Sequence, residues 1–252
     1  MCIIEKARSY LLSFDDVDDK LIDMQINQWK SLKKNTITDI YKSMLHHSKN
    51  RQGMPNSIGE IERLSKVFFN FDPKEVACNY SDYRDILIAI EDNKIKTAGV
   101  IRPENVKSHW VVFAKASISS AKFINQFDGI EGFNDFIHHF YRDENTLISL
   151  PLLLKEELFG FGFALACDFL KENGYEKFVK PDTHLNDICR AAGITDGKSD
   201  YKVFKDITAY CNANKIVPYE FDKLIWLVGS GRFYLSDVYV QTKKNDFIKY
   251  YL

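Results

Sequence analysis

Apolar residues recur at three- and four-residue spacing along most of the chain, the pattern of amphipathic helices. In residues 18–49 they fall at Leu21, Ile22, Met24, Ile26, Trp29 and Leu32. A polar stretch at residues 46–57 reads as a loop. Ser57, with Glu60 three residues on, reads as a capping box. It opens a helix with Ile58, Ile61, Leu64, Val67 and Phe68 on one face, which Asp72-Pro73 stops. Further helices are expected at 80–91, 109–127, 131–141, 146–159, 162–173, 182–192, 201–214 and 220–228. Residues 232–252 fit strand or helix equally well. The expected fold class is mainly α.

Composition supports that class. Phe (19) and Tyr (13) outnumber Gly (12) and Pro (6), which favours helices over a turn-rich β architecture. The polar residues 92–104, with Pro103, suggest a boundary. The expected division is an N-terminal helical region (1–100), a central helical lobe (101–198) and a C-terminal region (199–252) packing with the N-terminal lobe. The net charge of −1 advertises no nucleic-acid partner, although a neutral total can conceal a basic face. The five cysteines are dispersed, with no C-x-x-C pair, so neither a disulfide framework nor a zinc or iron–sulfur site is indicated. The first twenty residues meet charge at Glu5 before any long apolar run. The expectation is an intracellular protein, not secreted, with no membrane partner.

The chemically informative stretch is residues 158–192. Gly160-Phe161-Gly162 makes a short turn between two helical patterns. Glycines there permit backbone conformations closed to other residues. The helix that follows begins with free N–H groups and the positive end of its dipole, an arrangement suited to a phosphate. Further on, Pro181 precedes Asp182 at an N-cap position, with Leu185, Ile188 and Ala192 at helical spacing behind it and His184 in the first turn. One chance G-x-G is expected in a chain of this length. A D-x-H at a fixed offset has a chance probability on the order of one in a thousand.

Leu158-Phe159-Gly160-Phe161-Gly162, followed by Pro181-Asp182-Thr183-His184, resembles the helix–hairpin–helix base-excision DNA glycosylases, the group of endonuclease III and the adenine, 8-oxoguanine and alkylpurine glycosylases. The resemblance covers about residues 150–192 and is vague elsewhere. It implies a two-lobed helical architecture with a central cleft, and double-stranded DNA carrying a damaged or modified base as partner of a monomer. It implies Asp182 as the catalytic carboxylate. The amides of Gly160, Gly162, Ala164 and Leu165 would hold a phosphate, with His184 near a phosphate or the edge of the site. The carbonyls of Glu156, Leu158 and Phe161 would bind a structural sodium or potassium ion. No other cofactor is implied, and the cysteine cluster of endonuclease III is absent.

The chain also departs from the family pattern. The family's nucleophilic lysine position falls on Ala164, eighteen residues before Asp182. Alanine cannot form a Schiff base, so base excision without strand cleavage is expected. Lys155 and Lys180 are the nearby lysines, for which surface solvation is the usual role. Phe159 and Phe163 replace residues often proline and polar in the family, with local packing as the expected effect. Two other readings stay open: a DNA-binding protein that kept the hairpin and lost excision, and a helical interaction protein whose hairpin is an ordinary αα turn. Trp226 reads as core rather than a base-stacking platform, Gly229 as a helix stop, and His138-His139 as lacking metal-ligand spacing.

Overall fold

The computed structural model describes every residue except 1, 29, 31–33, 51, 52 and 99. Among these residues it is mainly α, as the periodicity predicts. The helices are α1 (Ile3–Leu11), α2 (Asp19–Asn27), α3 (Ile37–Ser48), α4 (Met54–Ile58), α5 (Pro73–Asn79), α6 (Tyr83–Asp92) and α7 (His109–Ile124). They continue with α8 (Gly129–His139), α9 (Glu144–Glu157), α10 (Phe163–Glu172), α11 (Thr183–Ala191), α12 (Asp200–Ala213), α13 (Pro218–Ser230) and α14 (Lys244–Tyr251). The ambiguous tail resolves into both kinds of element. Two short antiparallel strands, β1 (Arg232–Phe233) and β2 (Val238–Tyr239), precede α14.

Residues 18–49 hold two helices: α2 ends at Asn27, and α3 starts behind Thr36, whose side chain caps the Asp39 amide. Trp29 and Leu32 lie outside the described residues. The helix expected from Ser57 is broken into α4 and short 3-10 turns at Ile61–Leu64 and Phe69–Phe71. Ile58, Ile61, Leu64, Val67 and Phe68 are nonetheless all fully buried. Burial selects apolar residues at these positions without requiring a continuous helix. Ser57 sits within α4 rather than capping a helix, and its hydroxyl pairs with His109 Nδ1 at 2.7 Å. Asp72-Pro73 opens α5 instead of closing a helix. Asp72 accepts the amides of Lys74 and Glu75, and Pro73 occupies the first helical position, where its missing N–H costs nothing.

The chain forms two compact units. One spans residues 34–169 and is organised on α7, against which α3, α4, α5 and α6 pack. Trp110, Val111, Phe113, Ala114, Ala121 and Ile124 of α7 are buried there, and Tyr41 of α3 donates its hydroxyl to Ser117 O at 3.2 Å. The other joins residues 1–33 to residues 170–252 and is organised on α13, which packs against α1, α2, α11, α12 and α14. The two ends of the chain meet in this unit. The Lys243 amide donates to Tyr10 Oη at 2.9 Å, and Phe247 and Tyr251 pack on the Tyr10 ring. This division differs from the boundaries at 100 and 198 read from composition. The polar stretch after α6 is a connection rather than a linker, because α6 and α7 on either side of it pack together. No described helix is long and apolar enough to cross a membrane.

Candidate active site

The hairpin follows α9. Leu158 ends the helix in an extended conformation, and the Phe161 amide closes the turn on Leu158 O at 3.1 Å. Gly160 carries φ +81°, the left-handed region that favours glycine. At Gly162 an added Cβ would meet nothing within 4 Å, so this glycine borders open space. The Phe159 amide donates to Ser119 Oγ of α7 at 2.9 Å, which ties the turn to the central helix of its unit. Phe161 and Phe163 are buried, while Phe159 is exposed, with Lys115 Nζ 5.4 Å from its ring centre. Local packing is thus the role of Phe163 and not of Phe159. Ala164 and Leu165 fall in the first turn of α10, half-buried, where amides have no intrahelical acceptor. Glu156, Leu158, Gly160, Phe161, Gly162, Ala164 and Leu165 are therefore one continuous local structure in the unit of residues 34–169.

Asp182 and His184 belong to the other unit. Asp182 is the N-cap of α11, in extended conformation (φ −89°, ψ −179°). Its Oδ1 accepts the amides of His184 at 2.9 Å and Leu185 at 3.1 Å. Among the described residues no donor reaches Oδ2. Asp182 is half-buried, and its carboxylate is fixed through Oδ1. Negative charge at this position is also favoured by the start of the α11 dipole.

Two residues of α13 hold the segment that carries Asp182: Asp222, given no role from sequence, and Gly229, expected there only as a helix stop. Asp222 is fully buried; its Oδ1 pairs with Lys171 Nζ at 2.7 Å and its Oδ2 accepts the Lys180 amide at 2.5 Å. Burial raises the pKa of Asp222; Lys171 and the Lys180 amide pull it back, and the charge of Asp182 adds to the rise. Gly229 receives the His184 ring: a Cβ there would stand 2.4 Å from Nδ1. Gly229 is thus a site of close approach and not the expected helix stop. The stop is Gly231, with φ +68°. The buried Nδ1 of His184 has no hydrogen-bond partner among the described residues. The sequence signal for Asp222 is the charged pair Asp222-Lys223 leading into the apolar run Leu224–Val228; the signal for Gly229 is a glycine inside a helical pattern.

The remaining candidates divide. Trp226 is half-buried and stacked on Tyr234, with ring centres 5.0 Å apart. His138 and His139 are exposed. Cys189 and Cys211 are buried, and burial raises both thiol pKa values, that of Cys211 to about 12, which makes them poor nucleophiles. The Lys180 amide is the group engaged by Asp222. Lys155 pairs with Glu156 on the surface.

No protein family and no curated protein matches the sequence. Among solved structures, the chain is similar to Methanocaldococcus jannaschii 8-oxoguanine glycosylase/lyase in complex with a 15mer DNA containing 8-oxoguanine. The likeness has a TM-score of 0.53 at 16% identity and covers 92% of this chain and 99% of the other. At that identity the likeness speaks to architecture, and the architecture agrees with the fold class implied by the hairpin and the Pro181-Asp182-Thr183-His184 motif. The chain has the helical fold of this glycosylase/lyase.

Proposed function

We propose that the protein is a DNA N-glycosylase that removes a damaged or modified base and leaves an abasic site. The observation that carries this reading is Asp182, a carboxylate fixed through Oδ1 by two α11 amides while Oδ2 has no donor among the described residues. Cleavage of the bond between C1′ and the base nitrogen passes through an oxocarbenium-like sugar. An anion beside C1′ stabilises that charge and can orient the attacking water. The target base must first leave the duplex. The amides of Gly160, Gly162, Ala164 and Leu165 would hold a strand phosphate, which positions the DNA without reading its sequence. The openness at Gly162 and the left-handed Gly160 support that role. His184 would serve at the phosphate or the edge of the site through the ring edge not packed on Gly229.

The carbonyls of Glu156, Leu158 and Phe161 would hold a sodium or potassium ion. Neutral oxygen donors suit a monovalent cation, and Leu158 O, which accepts one hydrogen bond, retains a second lone pair. The reaction needs no other cofactor. The protein would act as a monomer on intracellular double-stranded DNA.

Ala164 supports excision without lyase chemistry, since it offers no amine for a Schiff base. The M. jannaschii protein of similar fold is a glycosylase/lyase, so the distinction requires its own test. A panel of duplexes, each with one lesion and 8-oxoguanine among them, is treated with protein and then with alkali. Strand breaks that need alkali and vanish in Asp182→Asn are expected. Breaks without alkali would overturn the monofunctional assignment, and full excision by Asp182→Asn the mechanism.

A further inference from the structure

The segment Lys180-Pro181-Asp182 contains no regular structure, yet it must hold a carboxylate in place. Its backbone is tied at both ends. The Asp182 amide donates to Lys180 O at 2.7 Å, and the Asn186 amide to Asp182 O at 2.9 Å. The backbone at Lys180 is held by the side chain of Asp222, whose Oδ2 takes the Lys180 N–H at 2.5 Å. Asp222 and Gly229 are seven residues apart, about two turns, so they share one face of α13. Asp222 holds one end of the segment through the Lys180 amide. Gly229 receives the other end, the His184 ring, at a distance only a glycine permits.

A second acid this close to Asp182 carries an electrostatic cost. Its charge opposes that of Asp182 and is removed from water. A buried pair replaced by apolar residues of similar volume often leaves stability unchanged or higher, so stability alone gives weak reason to keep one. An aspartate here does something an apolar residue cannot: it presents two acceptor oxygens at once, one to the Lys171 ammonium and one to the Lys180 amide.

We propose that Asp222, neutralised by Lys171, is a positioning residue that clamps Lys180 and thereby sets the place of the Asp182 carboxylate. The inference rests on the glycosylase reading for the meaning of that placement, and its geometry stands on unit-internal contacts alone. The clamp acts through a hydrogen-bonded relay: Asp222 carboxylate to Lys180 amide, Lys180 carbonyl to Asp182 amide.

Two duplexes serve as probes. One carries a pyrrolidine abasic analogue whose protonated ring nitrogen replaces C1′. The other carries the neutral tetrahydrofuran analogue. The ratio of their affinities reads the field of Asp182 at C1′ and needs no knowledge of the natural lesion. A wild-type preference for the cation of about a hundredfold is expected, as for a transition-state mimic, and a ratio near one for Asp182→Asn.

Two paired variants leave the net charge unchanged: Lys171→Met/Asp222→Leu, which removes the acceptor, and Lys171→Met/Asp222→Asn, which retains one. The leucine pair is expected to lose on the order of tenfold or more of the cation preference, with tetrahydrofuran affinity unchanged, as displacement of a reacting group does. The asparagine pair keeps most of it. A purely structural role would move both pairs alike through melting temperature and leave the ratio intact. A high wild-type ratio retained in full by the leucine pair overturns the clamp alone. A wild-type ratio near one, equal to that of Asp182→Asn, overturns the glycosylase reading and the clamp with it. Should the leucine pair fail to fold, hydrogen exchange at the Lys180 amide of the wild-type protein decides. Strong protection supports the clamp, and exchange at the rate of an open loop overturns it.

Discussion

The imidazole of His184 occupies the space that Gly229 leaves empty: a Cβ at Gly229 would lie 2.4 Å from His184 Nδ1 and 2.5 Å from Cγ. Helix α11 can lie this close to α13 only because position 229 has no side chain. Gly229→Ala should gain about 1 kcal/mol of helix propensity. It should lose about 1–3 kcal/mol to overpacking, which leaves a net loss or near balance. The diagnostic result is partial rescue, because alanine at 184 keeps the Cβ that would stand 2.6 Å from the new one. Gly229→Ala/His184→Ala should melt above Gly229→Ala, and equal values in the two variants would show that the ring is not the obstacle.

Capping and chemistry can be separated at Asp182. Asparagine caps a helix about as well as aspartate, whereas alanine costs about 1 kcal/mol. Asp182→Asn should therefore melt close to the wild-type temperature and yet show no excision. Asp182→Ala should lose both excision and stability. An inactive Asp182→Asn that is also strongly destabilised would assign the residue to structure alone.

On the proposed reading, Ala164 stands where a lysine would convert hydrolysis into strand cleavage. Ala164→Lys should yield a covalent DNA adduct on borohydride treatment and strand breaks without alkali, both absent from the wild-type protein. Position 164 is half-buried in the first turn of α10, so the long side chain has a route outward. The absence of any adduct from a folded Ala164→Lys that still excises the base would show that this position does not approach C1′.

A pH dependence is expected from Asp206. Burial pushes its pKa up, but Lys202, with Nζ at 2.5 and 2.6 Å, and the Thr195 hydroxyl at 2.6 Å outweigh this and hold it below the usual carboxylate value. A depressed folded pKa gives stability that is present above the unfolded pKa, about 4, and lost as pH falls through the lower folded value. Asp206→Asn should lower the melting temperature at pH 7, and the gap from wild type should close below about pH 4. A gap of equal size at both pH values would contradict an electrostatic origin. The magnitude is small because Lys202 is half-exposed.

Much of the helical order was legible from spacing alone, since α7 through α13 each fall within a few residues of the expected ranges. The failures share a cause. At residues 57–72 the apolar pattern marks what is buried, but a helix and a series of tight turns can bury the same residues. Proline after aspartate ends one helix or begins another, and the sequence does not distinguish the two until the capping bonds are seen. In the candidate site, Asp182 and the glycine turn declare themselves through local motifs. Asp222 and Gly229 act across 42 and 45 positions of sequence, where local spacing carries no information. They become visible only when α13 is laid against α11.

The chain order of the two compact units bears on how the protein is made. Residues 34–169 are contiguous, so that unit can assemble as soon as its last helix leaves the ribosome. Residues 1–33 emerge before that unit but belong with residues 170–252, so α1 must wait, its apolar face uncovered, until α13 and α14 have been synthesised. Helices α1 and α2 therefore need protection from wrong partners until the far end of their unit has been made.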